Sequence, residues 1–303
     1  MRILNEKDLP LGEKTAVAIG LFDGVHVGHI KLIADICTKK DLLPLIYTFD
    51  HKRKITEPIL TLEEKCAVFE SLGVAECYIQ KFDKAFATQT PDDFLQNLRD
   101  NYNVRHIAVG FDFRFGYKAQ GDVKTLKELG EKFNYTLTVI PQISIDNIKV
   151  SSTRIRDLII EGNLKEASML MNRFYFMDGI VVSGRHLGHK IGFPTANILP
   201  EKQIPPYGVY ASIAETEYGR YPAITNIGVK PTVQKSAVPN AETYLIHFDE
   251  ELYGKCIRIY LVQMLRREMK FNSVEDLRKR IDFDAGCAAE ILADLDIYKK
   301  YLI

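Results

Sequence analysis

The sequence predicts a two-part α/β protein: a parallel sheet with helices on both faces, then a small antiparallel β-barrel or sandwich with C-terminal helices. Three observations predict it. Over residues 1–172, short β-branched or aliphatic runs alternate with segments of helical period, the order that gives parallel strands joined by crossover helices. Over residues 173–303 the texture changes to short alternating strands separated by turns. The length, 303 residues, accommodates two ordinary domains of roughly 100–200 residues each.

In the first part the candidate strands are TAVAIGL (15–21), LPLIYTF (43–49), AECYIQ (75–80), RHIAVGF (105–111) and YTLTVI (135–140). Helices are predicted over 27–40, where Ile30, Ile33, Ala34 and Cys37 share a face, over 62–72, ended by Gly73, and over 91–101, with Thr90 as cap and Pro91 in the first turn. The helix-like NLKEASMLM (163–171) joins the two parts without a Gly/Ser-rich linker. In the second part FYFMDGIVVSG, YGVYASIAE, ETYLIHFDEELYG and KCIRIYLVQML read as strands. Two helical stretches follow, SVEDLRKRI and the run from Ala285 toward Tyr298.

Lys plus Arg and Asp plus Glu are both 40, giving a net charge of +0. No global field draws the chain to nucleic acid or acidic lipid, so any phosphate binding must be local. The five cysteines, Cys37, Cys66, Cys77, Cys256 and Cys287, form no CxxC pair and no dense disulfide framework, which fits a reducing cytoplasm. The start MRILNEKDLP lacks the apolar core of a signal peptide, and no apolar run approaches the roughly 20 residues of a membrane span.

Ligands on parallel sheets sit at the carboxyl ends of strands, and GLFDGVHVGH (20–29) falls at the end of the first one. If a helix begins near Val27, its free N–H groups and positive dipole end form an anion site. His26 and His29, one turn apart, face the same ligand. Gly24 and Gly28 remove side chains where the backbone turns or a ligand comes close. The glycine spacing is not G-x-G-x-x-G and no GxxxxGK[ST] loop occurs, so the dinucleotide fingerprint and the P-loop are both absent. A lone histidine pair is more often structural than functional; the preceding strand, the glycines and the following helix shift that balance.

GLFDGVHVGH resembles the HxGH signature of the nucleotidyltransferase superfamily, in the FDGVHxGH form of the adenylyltransferase module of bacterial bifunctional riboflavin kinase/FAD synthetases. The resemblance implies a Rossmann-like nucleotidyltransferase fold over 1–172. It implies nucleotide contacts from Gly20, Phe22, Asp23, Gly24 and Gly28, with His26 and His29 catalytic. VSSTRIRDLI (150–159) matches the family's second phosphate element, through Ser151, Ser152, Thr153 and Arg156 at a helix start. VGFDFRFGYKAQGD (109–122) resembles its flavin-contacting segment, with Phe111, Phe113 and Phe115 meeting the isoalloxazine and Asp112 giving a polar contact. A half-buried strand would explain the same alternation without a ligand.

GRHLGHKIGFPTANI (184–198) closely matches the riboflavin kinase PTAN motif. Its glycines Gly184, Gly188 and Gly192, with Lys190 and Pro194, let a nucleotide approach, and the Thr195 hydroxyl and Asn197 amide oxygen are oxygen ligands of the kind magnesium takes. TNIGVKPTV (225–233) and AETYLIHFDEELYGKCIRIYLVQMLRREMKF (241–271) follow in family order. Similarity places the general base on Glu242 and a flavin or nucleotide contact on Arg266. Relatives often carry glutamine where this chain has Arg280. The resemblance implies a cytoplasmic enzyme of FAD synthesis, a riboflavin kinase barrel over 173–303 making FMN and an N-terminal domain making FAD and pyrophosphate, with ATP as co-substrate and Mg2+ at both sites. Rival readings are an adenylyltransferase for another acceptor and a non-catalytic flavin- or nucleic-acid-binding regulator. The PTAN half argues against the first, the balanced charge and the complete motif sets against the second.

Overall fold

The first unit is built on strands β1 (Arg2–Leu4), β2 (Thr15–Ile19), β3 (Leu43–Phe49), β4 (Glu76–Gln80), β5 (Val104–Gly110) and β6 (Thr136–Ile140). The computed structural model describes residues 1–50, 57–183, 192–230, 238–293 and 302. All pairings in this sheet are parallel, in the order β1-β4-β3-β2-β5-β6. The chain leaves β2 outward through β3 and β4, then returns to β5 on the opposite side. The strand order therefore reverses between β2 and β5, and parallel sheets open a ligand crevice at such a reversal, at the carboxyl ends of the strands.

The helices of this unit are α1 (Val27–Cys37), α2 (Leu62–Ser71), α3 (Lys84–Ala87), α4 (Pro91–Tyr102) and α5 (Val123–Phe133). Strand alternation separates the two faces. Val17, Ile19, Leu45, Tyr47, Ile107 and Val109 join Phe94, Leu98 and Leu126 of α4 and α5 in one core. His106 points to the other face, where its Nε2 meets Asp35 of α1 at 2.6 Å. The small Ala16, Ala18 and Ala108, fully buried, share that face and let α1 lie close. Helices thus cover both faces, as the sequence predicts.

Several elements depart from the sequence-based expectations. The first strand stops at Ile19, because Gly20 already begins the turn, and α1 stops at Cys37 with Thr38 as its cap. The sequence assigns nothing to Val123–Phe133, where Gly130 weakens the helical signal. It folds as α5 because Asp122 Oδ1 accepts from Thr125 N–H at 3.0 Å and Leu126 and Phe133 are buried. Strand β1 also goes unforeseen, being three residues long. A two-stranded hairpin, β7 (Ser144–Ile145) with β8 (Ile148–Lys149), leads into α6 (Ser152–Glu161).

The chain divides by its contacts into Met1–Ser152 and Thr153–Ile303. The second unit holds α7 (Leu164–Met171), β9 (Tyr175–Ile180), β10 (Ala196–Ile198), β11 (Gly208–Thr216), β12 (Gly219–Lys230), β13 (Val238–Leu245), β14 (Cys256–Arg267) and α8 (Val274–Ile291). Its strands form one antiparallel sheet, β10-β13-β12-β11-β14-β9. The sheet curls until Val182, just past β9, bridges Asn197 of β10 through an N–H···O=C bond of 2.9 Å. This closes a barrel and removes the free edges. Gly179 makes the approach possible: a Cβ there would stand 2.8 Å from Ile198. The two predicted C-terminal helices are one helix through residue 291, because Asp284, buried in its middle, is compensated by Arg266 and Arg280. Residues 294–298 of the expected run lie outside the described residues.

Candidate active sites

The loop from Gly20 to His26 leaves the carboxyl end of β2 at the strand reversal. Phe22, Gly24 and Val25 take positive φ of 52°, 76° and 37°. Such backbone costs a non-glycine residue roughly 1–3 kcal/mol and persists only where the surroundings enforce it. Here the Phe22 ring is fully buried, 5.4 Å from Phe69 and 5.1 Å from His29. Asp23, also buried, accepts from the Ile59 N–H at 2.9 Å. Beneath the loop, Lys65 Nζ donates to the Leu21 carbonyl and to Thr48 Oγ1, both at 3.1 Å. Burial lowers the Lys65 ammonium from its ordinary 10.5 to about 8, against the opposing pull of nearby Cys77, Cys66, Asp23 and Asp50.

His26 and His29 form a reciprocal cap on α1. His26 Nδ1 accepts from the His29 N–H at 3.4 Å, and His29 Nδ1 accepts from the His26 N–H at 3.3 Å. Two imidazoles thus do what Ser and Glu do in a capping box. With each Nδ1 accepting, the proton of a neutral ring sits on Nε2. The rings stack at 3.6 Å and 13°. Gly28 leaves room for this stack, since a Cβ there would lie 3.1 Å from the His26 ring and crowd it. Gly24 serves the turn and packs under Ile59. The helix start thus brings together backbone N–H groups, two imidazoles and the positive end of the dipole, an arrangement suited to phosphate oxygens.

Ser152 joins the two segments that the sequence singled out, its hydroxyl donating to the Asp23 carbonyl at 2.7 Å. Ser151 precedes it, half-buried. Thr153 is exposed and Arg156 half-buried, one turn farther along α6. Past β5, at the other side of the strand reversal, the aromatic segment is a turn. Phe111 is 49% exposed and Asp112 is exposed, whereas Phe115 lies in the core, 5.5 Å from Phe94. Phe113 stacks on Phe115 at 5.6 Å.

In the second unit, register assembles the site. Across three strands Asn197 of β10, Glu242 of β13 and Asn226 of β12 are paired neighbours on one face. Asn197 Nδ2 donates to the Thr195 carbonyl at 3.2 Å and to its hydroxyl at 3.4 Å. Asn240 Nδ2 donates to Glu242 Oε1 at 2.8 Å and to Asn197 Oδ1 at 3.4 Å. Among the described residues Asn240 Oδ1, which is buried, has no hydrogen-bond partner. Two cavities flank this row. One, of about 340 Å³, is bounded by Pro194, Thr195 and Asn197 and by the 248–253 loop. The other, of about 600 Å³, lies between the sheet and α8, with Thr195, Asn226, Glu242 and Arg266 as polar groups on walls of Tyr244, Phe271 and Ile281. Thr195 lies on both.

Arg266 donates from Nε to Asp284 Oδ2 at 2.7 Å, and Arg280 Nε lies 2.9 Å from Oδ1 of the same carboxylate. Arg280 thus packs against Asp284 one turn along α8. One buried carboxylate thus faces two guanidiniums, and Glu242, Glu268 and Lys270 line the same larger cavity. Gly192 has a φ of +85° with open space around it. Gly184, Gly188 and Lys190 lie outside the described residues. Among the described residues no group of three or more His, Cys, Asp or Glu is placed to hold a metal. The hydroxyl and amide oxygens of Thr195 and Asn197, beside an unpaired amide oxygen, nevertheless fit magnesium. That ion takes few protein ligands and completes its shell with water and substrate phosphate. Sequence reading missed Asn240 and Asp284; the period-two alternation of NAETYL puts Asn240 on the Glu242 face and was the available signal.

Comparison with known proteins gives the following matches. The FAD synthetase family model matches residues 9–154 and the riboflavin kinase family model residues 171–292. A bifunctional riboflavin kinase/FMN adenylyltransferase of Bacillus subtilis is 35% identical over 298 residues, covering 93% of this chain and 94% of its own. That of Escherichia coli K12 is 31% identical over 291 residues, covering 92% and 93%. A crystal structure described as a macrolide-efflux protein from Streptococcus pneumoniae has a TM-score of 0.83 at 29% identity, over 95% of this chain and 99% of that one. Among the described residues no helix of this chain is long and apolar enough to cross a membrane.

Proposed function

The chain belongs to the bifunctional riboflavin kinase/FMN adenylyltransferase family, and from that premise we propose how its residues divide the work. The protein converts riboflavin to FMN with one ATP and FMN to FAD with a second; no observation favours another acceptor or a non-catalytic regulator. The functional boundary is placed at 172/173, just before the first barrel strand.

In the barrel, ATP occupies the smaller cavity and riboflavin the larger, with Thr195 between them. The ribityl hydroxyl gives its proton to the Glu242 carboxylate as its oxygen bonds to the γ-phosphorus, and ADP departs with the electrons of the broken P–O bond. Thr195 and Asn197 would hold magnesium, which when bound neutralises phosphate charge. Arg266 and the aromatic wall orient the flavin. Gly184, Gly188, Lys190, Gly192 and Pro194 are given to the nucleotide by resemblance. In the first unit an FMN phosphate oxygen attacks the α-phosphorus of ATP and pyrophosphate leaves, so no protein nucleophile is needed. His26 and His29, with the α1 N–H groups, position the triphosphate and stabilise charge in the transition state. Ser151, Ser152, Thr153 and Arg156 are assigned to the leaving pyrophosphate, and Phe111, Asp112 and Phe113 to the flavin of FMN. Phe115, packed in the core, supports them.

The observation that carries this reading is the row Thr195–Asn197–Glu242, set by strand register between two cavities. Balanced charge supports small-molecule partners over nucleic acid, and five free cysteines support a reducing, cytoplasmic setting. The test is incubation with riboflavin, ATP and magnesium, followed by chromatography of the flavins. FMN then FAD is the expected series. FAD formed only from supplied FMN refutes the kinase assignment, and FMN that never proceeds to FAD refutes the other.

A further inference from the structure

Along β13, Asn240, Glu242 and Tyr244 share one face of the sheet, while Ala241, Thr243 and Leu245 point into the barrel. Asn240 is 4% exposed, so its amide was taken out of water, and what it touches there is functional. Its Nδ2 donates to Glu242 Oε1 at 2.8 Å and reaches Asn197 Oδ1 at 3.4 Å. Asn197 in turn donates to Thr195. A continuous polar chain therefore runs from Thr195 through Asn197 and Asn240 to Glu242.

We propose that Asn240 is the positioning residue of the kinase site, its amide nitrogen fixing the Glu242 carboxylate against Asn197 and its amide oxygen awaiting a donor that arrives with the substrates. The inference rests on the reading of Glu242 as general base and of Thr195 and Asn197 as metal ligands. A glutamate on a strand has three rotatable bonds, and proton transfer demands hydrogen-bond geometry with the substrate hydroxyl. A charge-assisted bond from a buried amide fixes one carboxylate oxygen and leaves the other to accept the proton. That bond also fixes the amide orientation: with Nδ2 aimed at Glu242 and Asn197, Oδ1 points elsewhere and, among the described residues, is a buried acceptor without a donor. Buried acceptors are rarely left so. A water carried by a bound metal–nucleotide complex would supply the missing proton donor, and Asn240 would then support the metal from outside its shell as well as the base.

The test uses the full chain and compares Asn240→Leu, Glu242→Gln and the double variant. In Asn240→Leu, kcat for FMN formation falls about 10- to 100-fold while the KM for riboflavin stays within about twofold. Added to Glu242→Gln, the same change costs less than about twofold, because the residue it positions is already disabled. By calorimetry, ADP binds Asn240→Leu with unchanged affinity in the absence of magnesium, and the gain on adding magnesium shrinks about three- to tenfold. Should Asn240→Leu destabilise the barrel, Asn240→Asp keeps the shape, removes the amide donor and is judged by the same criteria. An undiminished kcat in Asn240→Leu or Asn240→Asp beside an inactive Glu242→Gln overturns the role of Asn240 alone, as does a full additive loss in the double variant. A Glu242→Gln enzyme that phosphorylates riboflavin normally overturns the underlying reading instead.

Discussion

In the first unit the proposed phosphate site is made by neighbours in sequence, a loop and one helical turn from Gly20 to His29 that cap themselves through paired imidazoles. In the second, Asn197, Asn226, Glu242 and Arg266 come from four different strands and meet through register and packing. The first relies on backbone donors, a dipole and two imidazoles, all supplied by one short segment. The second relies on side chains whose partners lie up to 45 residues away, as Asn197 and Glu242 do. A local site is damaged by changing its backbone freedom, a registered site by removing any one of the polar links across its strands.

The sharpest way to break this comparison is a crossed pair of variants. Glu242→Gln lowers FMN formation by about 10²- to 10⁴-fold and spares FAD formation from supplied FMN. His29→Ala lowers FAD formation by about 10²- to 10³-fold and spares the kinase. Rates with riboflavin and with FMN as separate substrates check both, and equal loss of the two activities in either variant ends the division of labour.

Next in size is Asp284→Ala, which leaves Arg266, 14% exposed, without its counter-ion and costs about 3 kcal/mol of barrel stability, read by denaturant unfolding. A smaller effect comes from Lys65. Its ammonium titrates near 8 in the folded chain and near 10.5 in the unfolded one. Between those values the unfolded chain binds the proton that the folded chain has released. Stability from this group therefore rises with pH across that window and is lost as pH falls through about 8. Unfolding of wild type and Lys65→Met at pH 7.5 and pH 10 checks it: the wild type gains on the order of 2 kcal/mol more than the variant over that interval. Least of all, Gly28→Ala crowds the His26 ring and lowers FAD formation about tenfold, with kinase activity intact.

The same contrast sets what was legible in the chain. The parallel sheet, both fold types and the Gly20–His29 loop follow from local pattern: a run of β-residues, glycines, then a helix start. The histidine capping box refines that picture, since Gly28 makes room for an imidazole. Glu242 carried no local signal among 40 acidic residues, because only pairing with Asn197 and Asn226 gives it meaning, and resemblance alone pointed to it. Asn240 escaped for the same reason. Arg280 finds its place beside the carboxylate one turn away. The sequence pattern divides helix α8 in two, and the structure joins the stretches through Asp284, whose buried carboxylate is matched by two arginines.

The barrel's seam runs through Asn197. Its carbonyl receives the Val182 N–H, while its side chain stands in the kinase row, and β10 is only three residues long. So short a strand, joined on one side by a single bridge among the described residues, opens with less work than the sheet behind it. Warming should therefore unclasp this joint while the remaining strands hold, and phosphorylation should fade several degrees before the barrel melts.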